Sequence, residues 1–132
     1  MEDTQAAVSL VKRYLRTLES RSLDTASSML AHGATIVFPG ASTFQNLDEV
    51  VAHARERYQW VRKTFEHVNS MSLPEGETVV YVTGRLHGVN LHGVEFSGVR
   101  FVDRFVLREG MIVSQEVWND LAETGVLDKK NG

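Results

Sequence analysis

Apolar side chains recur at intervals of three and four near the start of the chain: Ala7, Leu10, Val11, Tyr14 and Leu18, with Lys12, Arg13, Arg16 and Glu19 off that stripe. The spacing predicts an amphipathic helix over 4–20. Ser22 offers a cap for a second, shorter helix reaching about Ala31, with Leu23, Ala26, Met29 and Leu30 on its apolar side and Gly33 as its stop. A β-branched run from Ala34 to Phe38 halts at Pro39-Gly40, and Thr43 to Gln45 adds a short extended piece. Asn46 and Glu49 have the spacing of a capping box, and Leu47, Val50, Val51, Ala54, Tyr58 and Val61 predict a third helix over about 47–62.

From Lys63 onward the helical repeat gives way to strands over about 64–73, 77–90, 94–108 and 111–119. Pro74-Glu75-Gly76 and Arg108-Glu109-Gly110 supply tight turns between them, and Asn90 to Gly93 supplies another. Helices first and long strands after predict one α+β domain spanning 1–132. Its three N-terminal helices pack on one face of a strongly curved antiparallel sheet.

In the stretch 94–108, alternation places Val99, Phe101, Asp103, Phe105 and Leu107 on one face and Arg100, Val102, Arg104 and Val106 on the other. Asp103 breaks the apolar pattern. A carboxyl between two phenylalanines loses hydration, which favours its neutral form unless a donor or cation compensates. Two readings follow: a functional acid in a pocket, or a structural carboxylate at a sheet edge or paired with an arginine such as Arg85. Tyr14 lies on the apolar stripe of the first helix, so its hydroxyl needs a buried partner. Trp118 either fills the core or lines a pocket, and Asp120 either caps the tail or orients a ligand.

The five histidines, His32, His53, His67, His87 and His92, lack the close pairing with a carboxylate that zinc sites use, so no metal is expected. His67 and His87 fall on predicted strands, where an imbedded neutral imidazole can carry protons; the plainer reading is a solvated ring. Charge narrows the partners further. With 14 Lys+Arg against 17 Asp+Glu and no basic run longer than a pair, the chain lacks the footprint of a nucleic-acid binder. No cysteine is present, which removes disulfides and thiolate chemistry. The acidic start, Met1-Glu2-Asp3, is unlike a signal peptide, and no apolar stretch approaches the ~18 residues of a membrane span. A cytoplasmic protein without a membrane partner is expected.

The run Val99-Arg100-Phe101-Val102-Asp103-Arg104-Phe105-Val106-Leu107-Arg108-Glu109-Gly110-Met111-Ile112, followed by Trp118-Asn119-Asp120 and Gly125-Val126-Leu127, is similar to the close of SnoaL-like polyketide cyclases of the nuclear transport factor 2-like superfamily. That resemblance implies a cystatin-like cone with an apolar pocket. It also implies Asp103 as the acid/base, with a histidine on the preceding strand, His87, as helper. Arg13-Tyr14-Leu15 and Ala34-Thr35-Ile36-Val37-Phe38-Pro39 resemble ketosteroid isomerase as well. There Tyr14 and Asp103 match a tyrosine and a protonated acid that donate to an enolate oxygen, a chemistry established for that enzyme. Its catalytic base, however, is replaced here by Phe38.

The expectation drawn from both resemblances is a cofactor-independent cyclase or isomerase moving a proton on a small apolar carbonyl compound. The other class open to the fold is a noncatalytic ligand-binding or dimerisation module. A third reading, an epoxide hydrolase, needs Asp103, Arg85 and Asp120 around one water. The expected pocket gathers Tyr14, Phe38, Trp60, Phe101, Asp103, Phe105 and Trp118, with His67 and Asp120 also contacting substrate. A homodimer is expected through the outer sheet face, on Val80, Val82, Val102 and Val106 beside Arg100 and Arg104.

Overall fold

The computed structural model describes residues 4–129. Helix α1 (Thr4–Glu19) and the short α2 (Leu23–Ser27) precede strand β1 (Leu30–Phe38), a 3₁₀ turn at Pro39–Ala41 and β2 (Ser42–Phe44). After α3 (Leu47–Arg55) come β3 (Tyr58–Ser72), β4 (Thr78–Asn90), β5 (Glu95–Arg108) and β6 (Met111–Asn119), then one turn of helix, α4 (Leu121–Thr124). The six strands form a single sheet in the order β2-β1-β6-β5-β4-β3.

The α+β order, the three N-terminal helices and the long hairpins agree with the pattern of the chain; two boundaries and one strand pairing do not. The third helix ends at Arg55, and Tyr58 and Val61 belong to β3. The second helix is shorter than expected because Leu30 already pairs with Ile112 as the start of β1. The sheet is also not wholly antiparallel, since β1 runs parallel to β6, matching Ile36 to Gln115 and Val37 to Glu116. The capping box forms on its principal side: Asn46 Oδ1 accepts from the Glu49 amide at 3.0 Å, while Glu49 Oε1 reaches back to the Gln45 amide at 3.4 Å.

Register fixes which side chains share a face. Val80, Val82 and Leu86 of β4 stand with Val99, Phe101, Asp103, Phe105 and Leu107 of β5 on the concave side, under α1. There Ala7, Val11, Tyr14 and Leu15 bury the helix stripe against them. Tyr14 meets Phe105 edge to face at 5.8 Å between centroids. The convex side carries Tyr81, Arg85, His87, Arg100 and Trp118.

Curvature comes from two glycines of β4. A Cβ on Gly84 would lie 1.9 Å from the carbonyl oxygen of Thr64, and one on Gly88 would lie 2.2 Å from that of Trp60. Only glycine admits so close a backbone approach, and it occurs beside the two places where β3 slips register, Phe65/His67 and Tyr58/Trp60. At the end of β4, Asn90 fastens the C-terminal segment. Its Nδ2 donates to the carbonyls of Val126 (2.9 Å) and Asp128 (3.0 Å), and its Oδ1 accepts from the amides of His92 (2.8 Å) and Val94 (3.0 Å).

Candidate functional site

The bent sheet and the helices enclose a cavity of about 480 Å³. Leu15 and Leu18 of α1, Val50 and Ala54 of α3, and Leu86 and Phe101 of the sheet make most of its wall apolar. Phe38 and Pro39 close one side, and Leu121 and Leu127, held in place through the Asn90 clamp, close another. Polar and charged groups enter at Glu19, Arg21, His53, Arg57, Tyr58, Arg62, Lys63, Gln115, Asn119 and Glu123. Such a mixture, apolar walls interrupted by polar groups, is what a small-molecule site requires.

Asp103 stands just outside this wall, wholly buried, and neither carboxyl oxygen has a hydrogen-bond partner. Its nearest charge is Lys63 Nζ, 3.7 Å from Oδ2, too long for an ordinary hydrogen bond. Burial pushes the Asp103 carboxyl above the usual range, and the Lys63 ammonium pulls the other way without cancelling it. The Tyr14 hydroxyl is raised as well, by burial first and by the neighbouring Asp103 second. That hydroxyl donates to Gln115 Oε1 at 2.9 Å, so Tyr14 braces a cavity residue and does not itself line the cavity.

The other predicted site residues separate by face. Phe38 and Phe101 line the cavity, and Phe105 packs in the layer behind it with Asp103. His87 lies on the convex side, its ring against Trp60 at 5.9 Å, and His67 pairs with Thr83 on that same side. Trp60 and Trp118 are likewise convex and 44% and 48% exposed. None of these four reaches Asp103, because strand alternation turns each to the opposite side of the sheet. Asp120 is held by Arg100 at 2.5 Å, and Arg85 pairs with Glu66 at 3.3 Å. The Asp103, Arg85, Asp120 cluster of an epoxide hydrolase is therefore not assembled, and Arg85 is not the partner of Asp103. Val80 and Val82, expected on the outer face, are buried on the inner one.

None of the polar groups of the wall was singled out from the sequence as a site residue, Lys63 and His53 among them. Lys63 fell at a misjudged helix end, although Val61, Lys63 and Phe65 alternate onto the buried face. His53 packs against Phe38 and Phe44 and accepts at Nε2 from Arg57 Nε at 2.8 Å. Burial, then the Arg57 charge, pushes its imidazole down against a smaller opposing pull from Glu56, leaving a neutral ring. Tyr58, half-buried, is pushed up to about 12, chiefly by loss of hydration. Among the described residues no three His, Asp or Glu side chains converge as a metal site would need.

Comparison with protein families matches residues 11–115 to the SnoaL-like domain. The chain belongs to that family. Comparison with curated protein sequences found no match. Among solved structures, this SnoaL-like domain is similar to a nuclear transport factor 2-like protein of unknown function from Burkholderia pseudomallei. The TM-score is 0.77 and the identity 19%, over 92% of this chain and 97% of that one. It is also similar to TerC co-crystallised with polyporic acid, at 0.72 and 16% identity over 92% and 97%. A proposed SnoaL-like polyketide cyclase from Jannaschia sp. CCS1 scores 0.69 at 17% identity over 96% and 94%. At these identities the likeness establishes the nuclear transport factor 2-like fold, the cone expected from the sequence.

Proposed function

We propose that this SnoaL-like domain takes a small, largely apolar carbonyl compound into its cavity and moves a proton next to the carbonyl, as a cyclase or isomerase without a cofactor. The observation that carries this reading is Asp103, a wholly buried carboxyl without hydrogen bonds, set beside Lys63 behind an apolar cavity. A fold whose purpose ended with stability would gain by replacing that pair with packed apolar side chains. In this reading Asp103 is the acid/base, Lys63 steadies the oxygen on which charge develops, and the apolar wall keeps water from both. The similarity to polyketide cyclases points the same way. The convex histidine His87 has no part in it.

A noncatalytic ligand-binding role is favoured by one specific observation: Asp103 is not itself part of the cavity wall. One measurement decides between the two. With 2-tetralone, an apolar bicyclic ketone, in deuterated buffer, the wild-type protein should speed exchange next to the carbonyl well above the buffer rate, as followed by NMR. Asp103→Asn should lose roughly 10²-fold of that acceleration. Chemical-shift changes on binding with no exchange above buffer would leave the binding role and remove the enzyme. The proposal extends to assembly: Trp60, Tyr81 and Trp118 leave aromatic surface on the convex face, which a second copy of the chain would cover.

A further inference from the structure

Lys63 is held more firmly than an ordinary surface lysine. Its amide donates to Glu19 Oε2 at 2.7 Å, and its carbonyl accepts from Arg16 Nη1 at 2.8 Å. Glu19 and Arg16 are themselves paired at 3.0 Å, so the end of α1 fixes the backbone of Lys63 at both polar atoms. The side chain then runs inward along Phe101, with Nζ 5.2 Å from the ring centroid, and it lines the cavity while only 22% exposed. An ammonium has three donors, yet Nζ makes no hydrogen bond to any described residue. Its nearest anion, Asp103, lies 3.7 Å away behind the wall.

The other charges of the wall leave that ammonium available. Glu19 is engaged by Arg16 and by the Lys63 amide, so its carboxylate is already neutralised. The other cations of the wall are Arg57, hydrogen-bonded through Nε to the neutral His53, Arg21, which donates to the Leu18 carbonyl, and Arg62, which lies over the Trp60 ring. The remaining acidic lining residue, Glu123, is exposed. An apolar chamber with an unsatisfied cation at its inner wall selects one kind of guest.

The geometry points to Lys63 as the anchor for a ligand that carries an anionic oxygen on an apolar ring body, an aryl carboxylate or an enolised dione. This names the substrate class of the cavity proposed above and rests on that cavity binding a ligand, not on turnover. Asp103 is then the resident counter-ion, which a ligand anion must rival for the same ammonium. Removing the rival charge strengthens the guest's hold; removing the lysine abolishes it.

The test uses two probes of equal shape, 1-naphthoate and uncharged 1-naphthamide, titrated at pH 7.5 by calorimetry. The wild-type protein should bind the carboxylate at least tenfold more tightly than the amide. Asp103→Asn should tighten the carboxylate several-fold and leave the amide unchanged, and Lys63→Arg should keep most of the preference. Lys63→Met made together with Asp103→Asn, which leaves no lone buried charge, should bind both probes alike. Equal binding of acid and amide by the wild type, binding of neither at millimolar concentration, or a preference that survives the double substitution would overturn the assignment. Carboxylate binding without exchange on 2-tetralone keeps Lys63 as anchor and removes only the catalytic reading.

Discussion

Asn90 and Asp103 are both wholly buried polar side chains on neighbouring strands, and their surroundings treat them in opposite ways. Every hydrogen-bonding position of Asn90 is used, two donated to the C-terminal segment and two accepted from the turn after β4. Neither oxygen of Asp103 has any. A saturated group loses little on leaving water and makes a good fastener, whereas an unsaturated carboxyl is held at a cost that packing elsewhere must offset. The contrast separates a residue that builds the cavity from one held unsatisfied just behind its wall.

The largest effect expected from breaking this contrast is at the saturated residue. Asn90→Ala leaves two carbonyls and two amides without their partner and should lower stability by about 2–4 kcal/mol in urea denaturation, part of the loss being relieved by water. A loss below about 1 kcal/mol would mean that the clamp is dispensable. The effect at Asp103 depends on pH. Its folded-state carboxyl is raised, so its contribution to stability is complete below the unfolded value near 4 and is lost as pH rises through the folded one. The stability of Asp103→Asn relative to the wild type should therefore climb between pH 4 and pH 8, about 1.4 kcal/mol for each tenfold gain in proton affinity of the folded carboxyl. A difference that stays flat, or falls, over that range would show that the pull of the Lys63 ammonium outweighs burial at this carboxyl.

The smallest effect asks whether burial within one chain is all the burial there is. Trp118→Ser removes a half-exposed ring and should change monomer stability by less than about 0.5 kcal/mol. If the convex face pairs with a second copy, the same substitution should turn a dimer into a monomer in sedimentation velocity at micromolar concentration. A wild-type protein that sediments only as monomer removes the pairing.

What the sequence could and could not disclose follows from the periods it carries. The stripe of α1, the Asn46 cap and the alternation through Phe101, Asp103 and Phe105 are local signals, and each appears in the fold as expected. Helix α3 was overrun because Tyr58 and Val61 continue a spacing of three and four while also starting the alternation Val61, Lys63, Phe65. The choice between those periods lies in pairing with β4, which is not local. The same holds for sidedness. Nothing in the residues around Trp60, His67, His87 or Trp118 tells which side of the sheet the helices will cover. The register shift of β3 that turns His67 outward lies against Gly84 of the next strand, which is not a local signal. Asp103 was legible as an anomaly; Lys63, its partner, was not, since its face depends on where β3 begins.

The parallel pairing of β1 with β6 has a consequence in time. β1 meets only β2 and β6 in the sheet, and β6 supplies Gln115, Val117 and Asn119 to the cavity wall. The contact between Tyr14 and Gln115 spans 101 positions of sequence. Neighbouring hairpins among β3, β4, β5 and β6 close short loops, whereas β1 must await a strand made some eighty residues later. A nascent chain in which β5 is complete and β6 is still unmade has its concave face but no chamber. A chamber becomes possible only once residues 111–119 are made, and Leu121 and Leu127 complete its wall after them.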